Sequence, residues 1–463
     1  MNSDITIHNI QEVFFQMEET EDLFNLQGRD GTYFWDIVRR DVYLRLHTMH
    51  GGPFADAPFL PDPSLFTTVK DVVKQLLNRL TLRYLEARTP KYIFITGQRI
   101  RLNGHLFDSI SDHLYELVSD DAVAIELMNK EAISYRAMLF GGRTRIPPVA
   151  VRRGLIEKDL PKVAESISLA IKKHFDVSID TENLILAPIL IFRENRNFYL
   201  RLFSRYRPNA IVCINNGTLY GLFSAAKAMR VPVLELQHGG SNYRTIFWSY
   251  PQSITASHPA LISPTAYLTL SDFWIGNMHF PVSLTGSIGN DYFHQEPIAG
   301  DEDGVLFVSS YMYHEDLMQL ALELSSLAPG KKLYYKLHPH QFNQKQALVA
   351  ACRGNSNIAI VSDDMDFTEL FGLCNYVVGV HSTSLYIALQ AGKKVCVYKR
   401  SNYFWHEDIF EYVELFDSVA ELCDIVANRS GRYFQSLGKL PVLFEPFDQQ
   451  KFMRILEDVE SRV

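Results

Sequence analysis

Short apolar runs alternate with helical patterns along most of this chain. Runs typical of buried strands lie at residues 92–97, 122–126, 210–214, 231–236, 267–271 and 282–286. A helical pattern of apolar positions covers residues 219–228, between two of these runs. Short apolar strands separated by helices predict βαβ units that form a parallel sheet.

The same alternation restarts after the acidic sequence Asp301-Glu302-Asp303-Gly304. Strands are predicted at residues 305–310, 332–337, 358–361, 376–380 and 395–398. Helices are predicted at residues 315–327, 341–352, 367–374 and 384–391. Gly392 follows the last of these helices and is typical of a helix C-terminus. A second parallel sheet is therefore expected.

The two ends of the chain lack this alternation. Residues 1–90 are predicted to be mainly helical, with a proline-rich loop at residues 53–63, and a final helix is predicted at residues 449–460. The basic amphipathic pattern of residues 69–85 fits either a helix on an anionic membrane or an ordinary packed surface helix, which we favour. We predict an α/β fold with two Rossmann-like domains that face across a cleft. The expected divisions are a helical extension (1–90), a first domain (91–300), a second domain (301–440) and a C-terminal helix that packs back on the first domain (441–463).

Composition narrows the class of protein. The chain has 463 residues, 47% of them hydrophobic, which is enough for two full cores. Its net charge of -8 gives no support for nucleic-acid binding. The N-terminus has no signal-peptide pattern, and the longest apolar run, residues 184–192, is far shorter than the roughly 20 residues that span a bilayer. We expect a cytoplasmic protein, with peripheral contact at the inner face of the membrane also plausible.

Metal and thiol chemistry is not expected. The five cysteines are scattered without a CxxC pair, so buried free thiols are predicted. The sequence Asp363-Asp364-Met365-Asp366 could bind a metal, but it precedes a predicted helix whose first turn favours acidic residues. We interpret it as helix capping, and we expect no metal and no cofactor.

Polar side chains follow two strands of the second predicted sheet. His338-Pro339 follows the strand at residues 332–337, and His381 with Ser382-Thr383-Ser384 follows the strand at residues 376–380. Ligands bind outside the carboxyl ends of strands in open α/β sheets, and helix N-termini bind phosphate. These residues therefore predict a site for a nucleotide phosphate, although a turn histidine and plain N-capping are simpler explanations.

A third group follows a strand of the first sheet. Gln237-His238-Gly239-Gly240 comes directly after the apolar run at residues 231–236. An imidazole suits a general base, and the glycines permit close approach of a substrate. His238 is thus the candidate base, with Gln237, Gly239 and Gly240 beside the acceptor. Arg99, after the first strand, is a further acceptor-side candidate or an ordinary loop charge.

Two motifs of the second half resemble those of GT-B glycosyltransferases. They are Lys336-Leu337-His338-Pro339 and Gly379-Val380-His381-Ser382-Thr383-Ser384. The resemblance is to the bacterial surface-polysaccharide group of capsule polysialyltransferases, Kdo transferases and teichoic-acid glycerophosphotransferases. It implies that His338, Ser382, Thr383 and Ser384 hold the nucleotide phosphates. Gln237-His238-Gly239 resembles the acceptor-side element of the glycerophosphotransferases, which implies a base role for His238.

The resemblance implies a metal-independent transferase that moves a sugar from a nucleotide-activated donor to a surface glycan or a lipid-linked acceptor. It slightly favours a CMP- or CDP-linked donor. One alternative is a UDP-sugar enzyme, either a transferase or a non-hydrolysing epimerase. An epimerase would need carboxylates in the cleft, for which Glu235 and Asp272 are candidates. Another alternative is a non-catalytic subunit of polysaccharide assembly.

Overall fold

The structure is a computed structural model, and its described residues cover most of the chain. The described ranges are 5–6, 9–28, 31–51, 90–96, 100–102, 105–107, 110–127, 144–146, 160–214, 219–237, 249–255, 257–275, 281–287, 297–310, 313–362, 365–400, 407–427 and 440–460. The predicted loop at 53–63 and the predicted helix at 69–85 lie outside these residues.

A parallel sheet forms the centre of the first half. Its strands and a short hairpin are, in chain order, β1 (Tyr92–Thr96), β2 (Ile100–Leu102), β3 (His105–Phe107), β4 (Ala122–Leu127), β5 (Thr144–Ile146), β6 (Ala210–Cys213), β7 (Val233–Leu236), β8 (Ala266–Thr269) and β9 (Val282–Leu284). β2 and β3 form the antiparallel hairpin. The other strands form one sheet in the order β5-β4-β1-β6-β7-β8-β9. This is the doubly wound order of a Rossmann fold. Successive strands are added on one side of β1 up to β5, and from β6 onward they are added on its other side.

A second parallel sheet repeats that order. Its strands are β10 (Gly304–Val308), β11 (Lys332–Lys336), β12 (Ile358–Val361), β13 (Tyr376–Gly379), β14 (Lys394–Tyr398) and β15 (Glu414–Phe416). They are arranged β12-β11-β10-β13-β14-β15, so the reversal falls between β10 and β13. The predicted α/β class and the two Rossmann-like units are therefore confirmed by topology alone.

Helices cover both sheets. Those of the first half are α1 (Ile10–Thr20), α2 (Trp35–Met49), α3 (Ser111–Leu117), α4 (Leu160–Phe175), α5 (Ala187–Tyr206) and α6 (Tyr220–Met229). Those of the second half are α7 (His314–Leu327), α8 (Lys345–Ala351), α9 (Phe367–Leu373), α10 (Thr383–Gln390), α11 (Val419–Ala427) and α12 (Gln449–Glu460). The predicted helix at 341–352 is wrong at its start, because a 3₁₀ turn over Pro339–Gln344 precedes α8. Gly392 has a φ of +73°, as predicted for a glycine after a helix.

A buried ionic network holds the N-terminal helices. Arg39 of α2 forms a salt bridge with Glu18 of α1 and donates to the Ser249 carbonyl at 2.8 Å. Asp36 accepts the Ile262 amide at 2.9 Å, and burial raises the pKa of Asp36 to about 6. Helices α1 and α2 are thereby fixed to Ser249 and Ile262, which follow His238 in the sequence.

The two halves contact each other through aromatic side chains and the last helix. Trp274, in the 3₁₀ turn Asp272–Trp274, lies with its ring centroid 4.8 Å from that of Tyr386 on α10. Phe452, Leu456 and Val459 of α12 are buried in the core on one face of the first sheet. The last helix thus contributes to the core of the first unit.

The chain passes between the halves twice, and the two passages are paired. The Ser287 amide donates to the Glu445 carbonyl at 2.8 Å, and the Asp448 amide donates to the Thr285 carbonyl at 2.9 Å. Gly286 has a φ of +79°, and a Cβ there would lie 2.1 Å from the Pro446 carbonyl oxygen. Only glycine fits this close backbone approach.

Candidate functional site

The reversal of strand order in the second sheet brings three turns together. β10 lies between β11 and β13, and all three strands are parallel. The turns that follow them therefore share one edge of the sheet. Because neighbouring strands are about 4.8 Å apart, the two outer turns are separated by about 10 Å, which suits a bound nucleotide phosphate chain.

His338 lies in the turn after β11, as predicted, and its backbone is fixed. The side chain is half-buried. The His338 amide donates to Gln341 Oε1 at 3.1 Å, and the His338 carbonyl accepts the Gln341 amide at 2.8 Å. Pro339 begins the 3₁₀ turn that follows. The backbone that carries the imidazole is thus fixed by hydrogen bonds to Gln341 at both its amide and its carbonyl.

Ser382, after β13, is the N-cap of α10. Its backbone is extended and its hydroxyl accepts the Ser384 amide at 3.2 Å. His381, Thr383 and Ser384 are half-buried beside it. The capping interpretation of Ser382 is therefore correct. The partial positive charge of the helix start nevertheless faces the same sheet edge, so capping and phosphate binding are compatible.

Two further serines lie between these turns, and the sequence analysis did not single them out. Ser309 and Ser310 follow β10 at the reversal point and are both buried. Ser309 Oγ donates to Gln341 Oε1 at 2.6 Å, and the Ser309 amide donates to the Lys336 carbonyl at 3.0 Å. Paired serines directly after the first buried strand of a βαβ unit were the signal that could have identified them.

Two lysines lie near the edge of the second sheet at which these turns meet. Lys336 Nζ donates to the Met365 carbonyl at 2.6 Å and also to the Ser362 carbonyl. Lys345 Nζ donates to Ser362 Oγ at 3.0 Å. Both ammonium groups hold the connection from β12 to α9, and they add positive charge to the edge on which an anion would bind.

The predicted acceptor side belongs to the first sheet, where the structure describes less of the chain. His238, Gly239, Gly240 and Arg99 lie outside the described residues. Gln237 is only 1% exposed, and its Oε1 accepts Thr269 Oγ1 at 2.8 Å and the Leu270 amide at 3.0 Å. Gln237 therefore joins β7 to β8, and a role beside the acceptor stays a prediction.

The carboxylates proposed for an epimerase are not brought together. Glu235 is fully buried in β7, and neither of its carboxylate oxygens has a hydrogen-bond partner in the described part of the chain. Burial raises the pKa of Glu235 well above its usual value, which favours the neutral carboxyl. Asp272 is exposed in the 3₁₀ turn Asp272–Trp274.

The acidic cluster before α9 includes a helix cap. Asp366 accepts the Glu369 amide at 2.9 Å, and Glu369 accepts the Asp366 amide at 3.0 Å, which forms a capping box. The capping interpretation is thus confirmed for Asp366, whereas Asp363 and Asp364 lie outside the described residues. Among the residues that the structure describes, no group of three or more His, Cys, Asp or Glu side chains could hold a metal ion.

The cysteines agree with the expectation of buried free thiols. All five cysteines carry free thiols, and four of them are buried: Cys213, Cys352, Cys374 and Cys396. Burial raises the pKa of Cys374 to about 12, so this thiol is unreactive as a nucleophile. Within the described ranges, no helix has the length and apolar character needed to cross a bilayer.

Comparison with known proteins gives distant structural similarities. No protein-family model matches the chain, and no curated protein matches it by sequence. Among solved structures, the UDP-GlcNAc 2-epimerase of Neisseria meningitidis bound to UDP-GlcNAc is 11% identical, with a TM-score of 0.45 over 79% of this chain and 99% of that one. MurG of Acinetobacter baumannii is also 11% identical, with a TM-score of 0.46 over 80% of this chain and 100% of the other.

The spinosyn rhamnosyltransferase SpnG is 12% identical, with a TM-score of 0.41 over 80% of this chain and 95% of that one. All of these TM-scores are below 0.5. The assignment of two Rossmann-like units therefore depends on strand order and not on these similarities.

Proposed function

We propose that this protein is a GT-B glycosyltransferase whose second unit binds the nucleotide-activated sugar. The observation that carries the proposal is the meeting of three turns at the reversal point of the second sheet. They bring His338, Ser310 and the helix start at Ser382 to one edge. Imidazole, hydroxyl groups and helix amides are the donors that a phosphate accepts.

Catalysis would depend on stabilising the negative charge that develops as the nucleotide-activated sugar is cleaved. The acceptor oxygen would form a bond to the anomeric carbon of the sugar as the bond from that carbon to the phosphate oxygen breaks, and negative charge would grow on the departing phosphate. Donors fixed before the reaction stabilise that charge without reorganisation. His338 and the start of α10 would supply this stabilisation, while His238 would take the proton from the acceptor hydroxyl.

The donor and the acceptor follow from the motif resemblance. It favours a CMP- or CDP-linked sugar and an acceptor that is a bacterial surface glycan or its lipid-linked precursor. Peripheral contact with the membrane would then bring a lipid-linked acceptor to the first unit.

An epimerase of the same architecture has less support. That reaction would need carboxylates in the cleft, but Glu235 is buried within the sheet and Asp272 is exposed on a turn. The two carboxylates proposed for an epimerase therefore do not form a pair at the phosphate-binding edge.

The first test is nucleotide binding. Thermal unfolding is followed with CMP, CDP, UDP and GDP on the native chain, His338→Ala and Ser382→Ala. Nucleotide at about 100 times its dissociation constant adds about 2.7 kcal/mol to the stability. We expect one nucleotide to stabilise the native chain and, at the same concentration, to stabilise both variants less, because the loss of one donor weakens binding without abolishing it.

The exposed His113 and Ser326 supply matched control variants, His113→Ala and Ser326→Ala, which should respond as the native chain does. No stabilisation by any nucleotide would reject the transferase and favour a non-catalytic assembly subunit. His238→Ala should then keep nucleotide affinity and lose sugar transfer, and full transfer by this variant would remove His238 as the base.

A further inference from the structure

The side chain of Gln341 is buried between two of the turns at the phosphate-binding edge. It is 1% exposed and lies in the 3₁₀ turn Pro339–Gln344. Its Oε1 accepts two hydrogen bonds, from Ser309 Oγ at 2.6 Å and from the His338 amide at 3.1 Å. One oxygen atom thus joins the turn after β10 to the turn after β11.

The chemistry of these partners fixes the orientation of the amide. A backbone N–H can only donate, so the side-chain atom that faces the His338 amide must be the oxygen. The opposite orientation would place two donors against each other. Gln341 Nε2 is consequently directed away from both turns, and among the described residues it has no hydrogen-bond partner.

A core residue chosen only for packing would not leave a buried amide donor unsatisfied. Methionine has almost the same length and would remove this cost. The oxygen of Gln341 accepts a hydrogen bond from each turn, and a methionine has no oxygen with which to do so.

We propose that Gln341 is a positioning residue of the nucleotide site. It holds the turn of Ser309 and the turn of His338 at a fixed separation, so that Ser310 and the His338 imidazole meet the phosphate together. This inference rests on the proposed nucleotide site and adds to it a residue that acts through its neighbours. Preorganised donors bind more tightly than donors that must be ordered on binding.

The test compares Gln341→Met with Gln344→Met by titration calorimetry, using whichever of CMP, CDP, UDP and GDP the native chain binds. Gln344 lies in the same 3₁₀ turn and is exposed, which makes it a matched control. We expect Gln341→Met to weaken binding about tenfold, because the two turns would then have to be ordered when the nucleotide binds. Gln344→Met should stay within about twofold of the native affinity.

A double-mutant cycle with His338→Ala separates positioning from a general loss of stability. If Gln341 acts through His338, then Gln341→Met should cost much less affinity once His338 is already alanine. An equal loss in both backgrounds would overturn the proposal, and so would native affinity of Gln341→Met.

Ser309→Ala offers a second route if Gln341→Met does not fold. It removes one of the two donors to Gln341 Oε1 and leaves the amide in place. The same non-additivity with His338→Ala is expected, and additive losses would overturn the proposal. If the native chain binds none of the four nucleotides, the proposed function itself fails, which is a different result from normal binding by Gln341→Met.

Discussion

Substitution of Glu235 tests whether its buried carboxyl is neutral in the folded protein. The quantity measured is the pH dependence of the free energy of unfolding. Its carboxyl is fully buried. The residue lies in β7, where it pairs in register with Cys213 of β6 and with Tyr267 of β8. Strand alternation places it on the face that α5 and α6 cover, because Val233 belongs to that core and Leu234 to the opposite one. Glu235→Met removes the carboxyl and keeps a side chain of similar length.

The expected magnitude follows from the two protonation states. Burial raises the pKa of Glu235 well above the value of 4.5 that the unfolded chain retains. Above about pH 4.5 the carboxyl is ionised in the unfolded state and still protonated in the folded state. The native chain therefore loses about 1.4 kcal/mol of stability per pH unit. This loss continues until the pH reaches the folded pKa. Removal of an unpartnered polar group should add a pH-independent gain of about 1–3 kcal/mol.

The assay is urea unfolding of the native chain and Glu235→Met between about pH 5 and about pH 8, followed by circular dichroism. The free energy of unfolding of the variant should exceed that of the native chain by an amount that grows with pH. Glu165→Met, at an exposed position of α4, is the matched control and should show no such growth. A stability difference that stays constant with pH would refute the reasoning, because it would mean that Glu235 is ionised in the folded protein.

Two more predictions concern the N-terminal network and the paired passages. The pKa of Asp36, raised by burial from 3.8 to about 6, means that the native chain loses about 3 kcal/mol as the pH rises through this interval. Asp36→Asn should flatten that part of the curve of urea midpoint against pH, and an unchanged curve would contradict the assignment. Gly286→Ala should destabilise the protein by at least about 2 kcal/mol in thermal unfolding, because its Cβ would lie 2.1 Å from the Pro446 carbonyl oxygen at a positive φ. Gly330→Ala, whose Cβ would have no atom within 4 Å, is its control, and equal effects of the two changes would argue against the close approach.

The sequence predicted the sheets better than the hydrogen bonds that join their turns. The strands from β10 to β14 were predicted because each is a short apolar run bounded by turn residues, a pattern that depends on neighbours in the chain. The short strand β15 (Glu414–Phe416) was missed, because three residues show no periodicity. Helices α4 and α5 were also not predicted, although both bury apolar faces.

Candidate residues could be predicted from the sequence only where polar side chains directly follow a strand in the chain. His338-Pro339 and Ser382-Thr383-Ser384 follow strands directly, so the local pattern was enough to predict their places, and their role in phosphate binding stays a prediction. Gln341 could not be found in this way, because its role depends on Ser309, which is 32 residues earlier in the chain. Its position in the sequence indicated only the start of a helix.

The packing of α12 on the first sheet has a consequence for synthesis of the protein. The second unit lies in the chain between β9 and α12, yet α12 supplies Phe452, Leu456 and Val459 to the core beneath β1 and β7. A growing chain that leaves the ribosome can complete the second sheet before this helix is made, but it cannot close the first core until the last residues emerge. The half synthesised first is thus the half completed last, and a stop codon before residue 449 would leave part of one face of the first sheet uncovered.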